Sequence, residues 1–194
     1  MTSDTIVSMA RWQPDARGRL AAAALELFHE RGFEQTTVTD IAARAGLDKR
    51  TFYRLFGDKR EALFSGDNLL AEILVKAVAE TDADPFETVV TAFRRVAEEI
   101  FADRLDLVRM RQAIIDGSPE LQERELRKTN RLAATVAATL RAKGVGDTTA
   151  TLATESGVTV FRVAFARWVA PGRDVALTDL IAEVAAELRA VTSA

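Results

Sequence analysis

The stretch TTVTDIAARAGLDKRTFYRLFGDKREALF, residues 36–64, decides the fold. Residues whose chemistry starts or stops a helix divide it into short segments. Thr37 suits the N-cap of a helix over about 38–45, and Asp40, three residues on, makes an approximate capping box. Gly46 ends that helix, because glycine takes a positive φ without a Cβ penalty. Asp48 caps a helix over about 49–56, Gly57 ends it, and Asp58 caps another that starts at Lys59. Two short helices that cross steeply need a small side chain where they touch, and Ala42 supplies it. Val38, Ile41, Ala45, Leu47, Phe52, Leu55 and Phe56 supply the apolar pins of a helix-turn-helix. The outer face of the 49–56 helix is left with Lys49, Arg50, Thr51, Tyr53 and Arg54. A basic face rich in hydrogen-bond donors is what entry into a DNA major groove requires.

Upstream, a helix over 16–31 has Asp15 as its cap, Gly32 as a left-handed stop, and Leu20, Ala24, Leu27 and Phe28 as its apolar stripe. Downstream the helices lengthen, to about 67–80, 85–102, 104–116, 119–143, 148–170 and 177–191. The expected fold is therefore all-α. An N-terminal arm and a three-helix DNA-binding domain with its helix-turn-helix occupy residues 1–64. A C-terminal helical domain for ligand binding and dimerisation occupies residues 65–194.

A net charge of -3 argues against a nucleic-acid binder until its distribution is read. Residues 44–60 hold six basic side chains against two acidic ones, a basic end on an acidic molecule. With no cysteine there are no disulfides and no thiolate metal sites, which fits a cytoplasmic protein. Residues 1–13 lack the apolar core of a secretory signal, and no apolar run is long enough to span a membrane. No nucleophile elbow, phosphate loop or metal-ligand cluster is present, so neither an enzyme nor a bound cofactor or metal is expected.

Residues 16–64, and 36–64 above all, resemble the tetracycline-repressor (TetR) family of bacterial regulators. The run matches that family's TT-x-x-D-I-A-x-x-A-G-x-x-x-x-T-[LF]-Y-x-x-F-x-x-K-x-x-L pattern nearly throughout. The resemblance implies phosphate contacts from Thr37, Tyr53 and Lys59. Lys59 also lies near a helix start, where a cation is electrostatically disfavoured and an anionic partner would suit it. Thr39, Arg44, Lys49, Arg50, Thr51 and Arg54 are candidates for base edges or further phosphates. Arg50 replaces the small residue common there, and either reads a guanine or touches a phosphate.

The family likeness implies a double-stranded, inverted-repeat operator, a homodimer, and a small-molecule effector that releases a repressor from DNA. A protein-interaction adaptor that kept this fold without binding DNA is the alternative. In the second domain, Val160, Val163, Ala164, Leu180, Ile181, Val184 and Leu188 are candidates for a four-helix dimer interface. The competing reading is an ordinary monomer core. Phe86, Phe93, Phe101, Met110, Phe161, Phe165 and Trp168 line an apolar ligand cavity or are plain core. Arg109, Arg111 and Arg162 bind an anionic head group or pair with Glu98, Glu99 or Asp106. The stretch RMRQAIIDGSPEL, residues 109–121, is similar to one in actinobacterial TetR-type regulators, some of which respond to acyl-CoA-like ligands. The effector expected is apolar or acyl-type.

Overall fold

Helix α1 (Ala16–Arg31) starts where the Asp15 carboxylate accepts from the Arg17 amide at 3.2 Å. The computed structural model describes residues 15–172 and 175–193, so the expected N-terminal arm lies outside the described residues. Gly32 stops α1 with φ +84° and ψ 157°. The positive φ is as expected, but the extended ψ is not left-handed helix. It belongs to a region open almost only to glycine. Just beyond, Thr36 is buried, and its hydroxyl donates to the Gly32 and Leu27 carbonyls at 2.9 and 3.2 Å.

Three short helices follow: α2 (Val38–Arg44), α3 (Lys49–Leu55) and α4 (Lys59–Leu63). With α1 they form the first of two compact units, Met1–Ser65. Its core joins Leu20, Leu27 and Phe28 of α1 to Ile41, Phe52 and Phe56. Ala42 is buried, as a close crossing of α2 requires. Gly46 takes φ +63° in the turn between α2 and α3. Gly57 needs no such freedom, because α3 ends one residue earlier, where Phe56 turns extended.

The second unit, Gly66–Ala194, holds α5 (Asp67–Glu80), α6 (Pro85–Val96), α7 (Leu105–Asp116), α8 (Pro119–Ala142), α9 (Asp147–Val169) and α10 (Leu177–Thr192). All ten helices are α, and no strand occurs among the described residues. Asp84 caps α6 by accepting from the Phe86 and Glu87 amides, with Pro85 in the first turn. Instead of continuing as α-helix to residue 102, α6 passes into a π turn, Ala97–Phe101. In a regular helix Phe101 would stand about 80° round the axis from Phe93. The residue that a π turn inserts brings it back to within roughly 20°. Both rings then reach Phe161, at 4.7 and 6.1 Å.

The expected dimer-interface set needs correction. Val160, Ala164, Leu180, Ile181 and Val184 are between 0 and 5% exposed within a single chain. They turn α9 and α10 onto each other and onto α6, in one core with Val89 and Phe93. A side chain with no free surface has nothing left to bury against a partner. Only Val163 and Leu188 of that set keep part of their surface.

The α6–α9 seam closes at Gly157. A Cβ built there would lie 3.0 Å from the Val89 Cβ and overlap Val89 Cγ1. Valine is stiff at χ1 and cannot swing aside. Alanine normally gains about 1 kcal/mol over glycine inside a helix. Here overpacking, which costs about 1–3 kcal/mol, reverses the sign. Gly157→Ala is expected to lower the urea midpoint of the second unit; a stabilised variant would show that the seam can open at no cost.

Candidate nucleic-acid interface

Each short helix of the first unit is capped at its N-terminus by its own side chain. The Thr37 hydroxyl accepts from the Asp40 amide at 3.2 Å, and the Asp40 carboxylate accepts from the Thr37 amide at 3.0 Å and hydroxyl at 2.5 Å. The capping box expected from sequence is thus complete. Asp48 accepts from the Thr51 amide at 2.7 Å and the Thr51 hydroxyl at 3.0 Å. Asp58 accepts from the Glu61 amide at 3.1 Å. The Thr37 hydroxyl holds the Asp40 carboxyl below its ordinary pKa, and the Thr51 amide and hydroxyl do the same for Asp48.

Cations tie off the other ends. Arg17 donates to the Leu55 carbonyl at 2.9 Å, with its guanidinium 4.6 Å from the centre of the Phe56 ring. Arg19 donates through Nε to the Ala45 carbonyl at 3.1 Å, and through Nη2 to that oxygen and to the Gly46 carbonyl. Lys59 donates to the Phe33, Thr36 and Glu34 carbonyls at 2.8, 3.3 and 3.5 Å, and its ammonium lies 4.1 Å over the Phe33 ring. Lys59, expected on a phosphate, thus has backbone carbonyl oxygens as its partners in the chain by itself. Sequence reasoning missed Arg17 and Arg19. The signal was a basic pair near a helix start with no acidic residue in the first turn, an unfavourable placement that needs a negative partner.

Arg44 is also committed. It bonds Glu26 at 3.2 Å and Glu30 at 2.8 Å, and the Glu30 bond raises the guanidinium pKa while lowering that of Glu30. Its expected DNA contact would have to displace both carboxylates. Thr51 is half-buried with its hydroxyl on Asp48. Thr37 and Thr39 are exposed near the start of α2.

Lys49, Arg50, Tyr53 and Arg54 remain, and all four are exposed on α3. Tyr53 is 51% exposed, its ring edge-on to Phe52 at 5.8 Å and 5.9 Å from the Lys49 ammonium. Phe52, fully buried on the opposite face, fixes which way they point. Neither the Arg50 nor the Arg54 side chain makes a hydrogen bond or ion pair among the described residues. The arrangement is a rigid helix presenting three cations and a phenol outward.

The candidate ligand residues part company. Phe101 meets Phe161, Phe165 and Trp168 at 5.6–6.1 Å, and Phe93 stacks on Phe161. These five rings pack on one another, and none of them lines the open groove of about 320 Å³ near the start of α6. Phe86 does line it, under the Arg189 guanidinium. Arg109 donates to the Val169 and Ala170 carbonyls, both at 3.0 Å, and so caps the end of α9. Arg111 pairs with Glu125 at 2.9 Å. Neither takes Glu98, Glu99 or Asp106 as a partner in these bonds. Met110 is half-buried on α7, and Arg162 is exposed.

Residues 20–65 match the model of the family described as bacterial regulatory proteins, tetR family. The transcriptional regulator TcmR of Streptomyces glaucescens is 28% identical over 134 residues, 66% of this chain. The chain spans 59% of that regulator's length. A regulator of Syntrophomonas wolfei superposes with a TM-score of 0.67 at 20% identity, over 92% of this chain and 95% of its own. The repressor FadR of Thermus thermophilus, solved in complex with lauroyl-CoA, superposes with a TM-score of 0.55 at 25% identity, over 89% and 93%.

A carboxyl with a depressed folded pKa stabilises the fold above its unfolded pKa, and that stability is lost as pH falls through the folded value. Thr37→Ala removes the hydroxyl from Asp40. The Asp40 titration, followed by carbon NMR, is expected to move part of the way back toward an ordinary carboxylate, so the acid loss of stability becomes smaller and is complete at a higher pH. The missing cap should cost about 1 kcal/mol. An unmoved Asp40 titration would mean that the backbone amide alone sets it.

Proposed function

We propose that this chain, which belongs to the tetR family of bacterial regulatory proteins, is a sequence-specific DNA-binding transcriptional repressor that acts in the cytoplasm as a homodimer on an inverted-repeat operator. The observation that carries this reading is the outward face of α3. Lys49, Arg50, Tyr53 and Arg54 stand exposed there while Phe52 is fully buried behind them. A helix so presented suits a major groove, with Arg50 reading a guanine edge and Lys49, Tyr53 and Arg54 on phosphates or neighbouring bases. Thr37 and Thr39 suit phosphate contacts beside them.

One such reader makes few contacts, and two readers on half-sites about one helical turn apart supply the missing affinity. The dimer face is the outward side of α9 and α10. Leu152, 63% exposed, shares it with Val163 and Ala166, and Ala182, Ala186 and Ala190 continue it on α10. Small and apolar side chains at four-residue spacing suit close packing of two helices against their symmetry mates.

The effector is an acyl-type ligand whose tail takes the place of the Phe93–Phe101–Phe161–Phe165–Trp168 ring cluster. The lauroyl-CoA complex of the FadR neighbour favours this class. Because the rings fill their own space, the ligand must bind a second arrangement of them better than the closed one.

The reading is tested by selecting bound genomic fragments and titrating them at several salt concentrations. A specific complex whose affinity falls steeply with salt is expected. Arg50→Ala should relax preference at one base position by about 1–3 kcal/mol, and lauroyl-CoA should release the fragment. An adaptor would give no salt-dependent complex. Separately, Ala186→Glu should yield a folded monomer in sedimentation, whereas an intact dimer would exclude this face.

A further inference from the structure

Helix α9 carries two charged side chains that the chain by itself leaves unmatched. Glu155 and Arg162 are both exposed, and neither side chain makes a hydrogen bond or ion pair among the described residues. Their own helix offers no opposite charge within reach. Three and four residues from Glu155 stand Thr151, Leu152, Val158 and Thr159, and around Arg162 stand Val158, Thr159, Phe165 and Ala166. The two charges are seven residues apart, about 10.5 Å along the axis, and do not meet each other. Arg167 shows the contrast. It lies on the flank toward α10 and bonds Glu187 at 2.8 Å and Glu183 at 3.5 Å.

The places of the two charges are related by a symmetry. Around the α9 axis, Glu155 lies about 40° and Arg162 about 60° to one side of Thr159, on the flank away from Arg167. Along the axis, Glu155 comes four residues before Thr159 and Arg162 three after it. Consider a two-fold axis beside Thr159, perpendicular to α9 and lying between two copies of it. This operation runs the second α9 antiparallel to the first. It reverses order along the helix and keeps the flank. Each Glu155 then faces the partner's Arg162, and each Arg162 faces the partner's Glu155, as an isologous contact requires. Thr159, exposed and short, sits at the crossing. Helices packed roughly 8–10 Å apart leave a gap that a carboxylate and a guanidinium can span.

We propose that Glu155 and Arg162 form two ion pairs across the two-fold axis of a homodimer, and so make a second copy of this chain the partner that its α9 face accepts. This rests on the dimer reading above and adds to it the direction and register of the two α9 helices. The apolar part of the face, Leu152, Val163 and Ala166, has no preferred direction, because apolar contact is not directional. The charges have one. An antiparallel pair brings opposite charges together twice, whereas a parallel pair in register sets Glu155 against Glu155 and Arg162 against Arg162. Like charges held opposite each other reject a wrong arrangement or a wrong partner.

Charge reversal tests the pairing from either side. Glu155→Arg and Arg162→Glu each put like charges at both symmetry-related contacts. In sedimentation, each variant alone is expected to dissociate at a concentration about tenfold or more above that of the unaltered chain. Mixed in equal amounts, the two variants are expected to form a heterodimer with the affinity restored, because one chain then carries both cations and the other both anions. The chain with both substitutions is expected to dimerise alone. Native mass spectrometry of the mixture distinguishes the pairings. A statistical proportion of homodimers and heterodimers, an unrescued mixture, or single variants that dimerise as tightly as the unaltered chain overturns the proposal.

Should a reversal fail to fold, Glu155→Gln and Arg162→Gln take its place. Each is expected to weaken the dimer, and both together no further than either alone, whereas additive losses overturn the pair. A monomeric unaltered chain overturns the dimer reading itself. A dimer indifferent to these charges overturns this inference alone.

Discussion

A helix leaves four amides unpaired at one end and four carbonyls at the other. In helices of seven, seven and five residues, as α2, α3 and α4 are, almost every backbone group is terminal. Such a tripod exists only if something else satisfies those groups, and here acids and bases divide the task. Thr37, Asp48 and Asp58 take the amides. Arg17, Arg19 and Lys59 take carbonyls. The apolar core beneath, from Leu20 to Phe56, sets the distances between helices. The charged ties set their orientation, because a hydrogen bond is directional and apolar contact is not. Everything attributed to the outer face of α3 depends on that orientation.

The capping ties are also why so much of the fold was legible in the sequence. Caps are local chemistry: Asp15, Thr37, Asp48 and Asp58 each act on an amide two or three residues away, so their positions mark the helix starts directly. The exposed quartet on α3 was legible for a related reason, since Phe52 and Phe56 fix the inward face and leave one place for the rest. Partnership over long stretches of chain was not legible. Lys59 meets carbonyls more than twenty residues upstream, and Arg109 meets the end of α9 some sixty residues downstream. A bare cation in a sequence looks the same whether its partner is a phosphate, a carboxylate or a backbone oxygen.

The second unit shows the same limit for apolar residues. The stripe Leu180, Ile181, Val184 on α10 reads identically whether it covers its own core or a second chain. Burial within one chain decides for the core. Of the set expected to line a cavity or be plain core, the aromatic residues 93, 101, 161, 165 and 168 fill space together instead of enclosing it, while Phe86 lines a groove elsewhere. The Gly157–Val89 contact brings α6 and α9 close enough for this, because a helix without a Cβ at the crossing permits the rings on either side to meet.

The π turn at 97–101 has a bearing on how chains of this kind are to be aligned. A π turn is one residue more than the axial length requires, lodged where the helix can bulge without breaking. A chain one residue shorter in this place would run straight through as α-helix, with its aromatic at the position equivalent to 100. Alignments that forbid gaps inside helices would then pair Phe101 with the wrong neighbour and report the ring as lost. The gap belongs within the helix, at the bulge, and placing it there keeps the ring cluster in register.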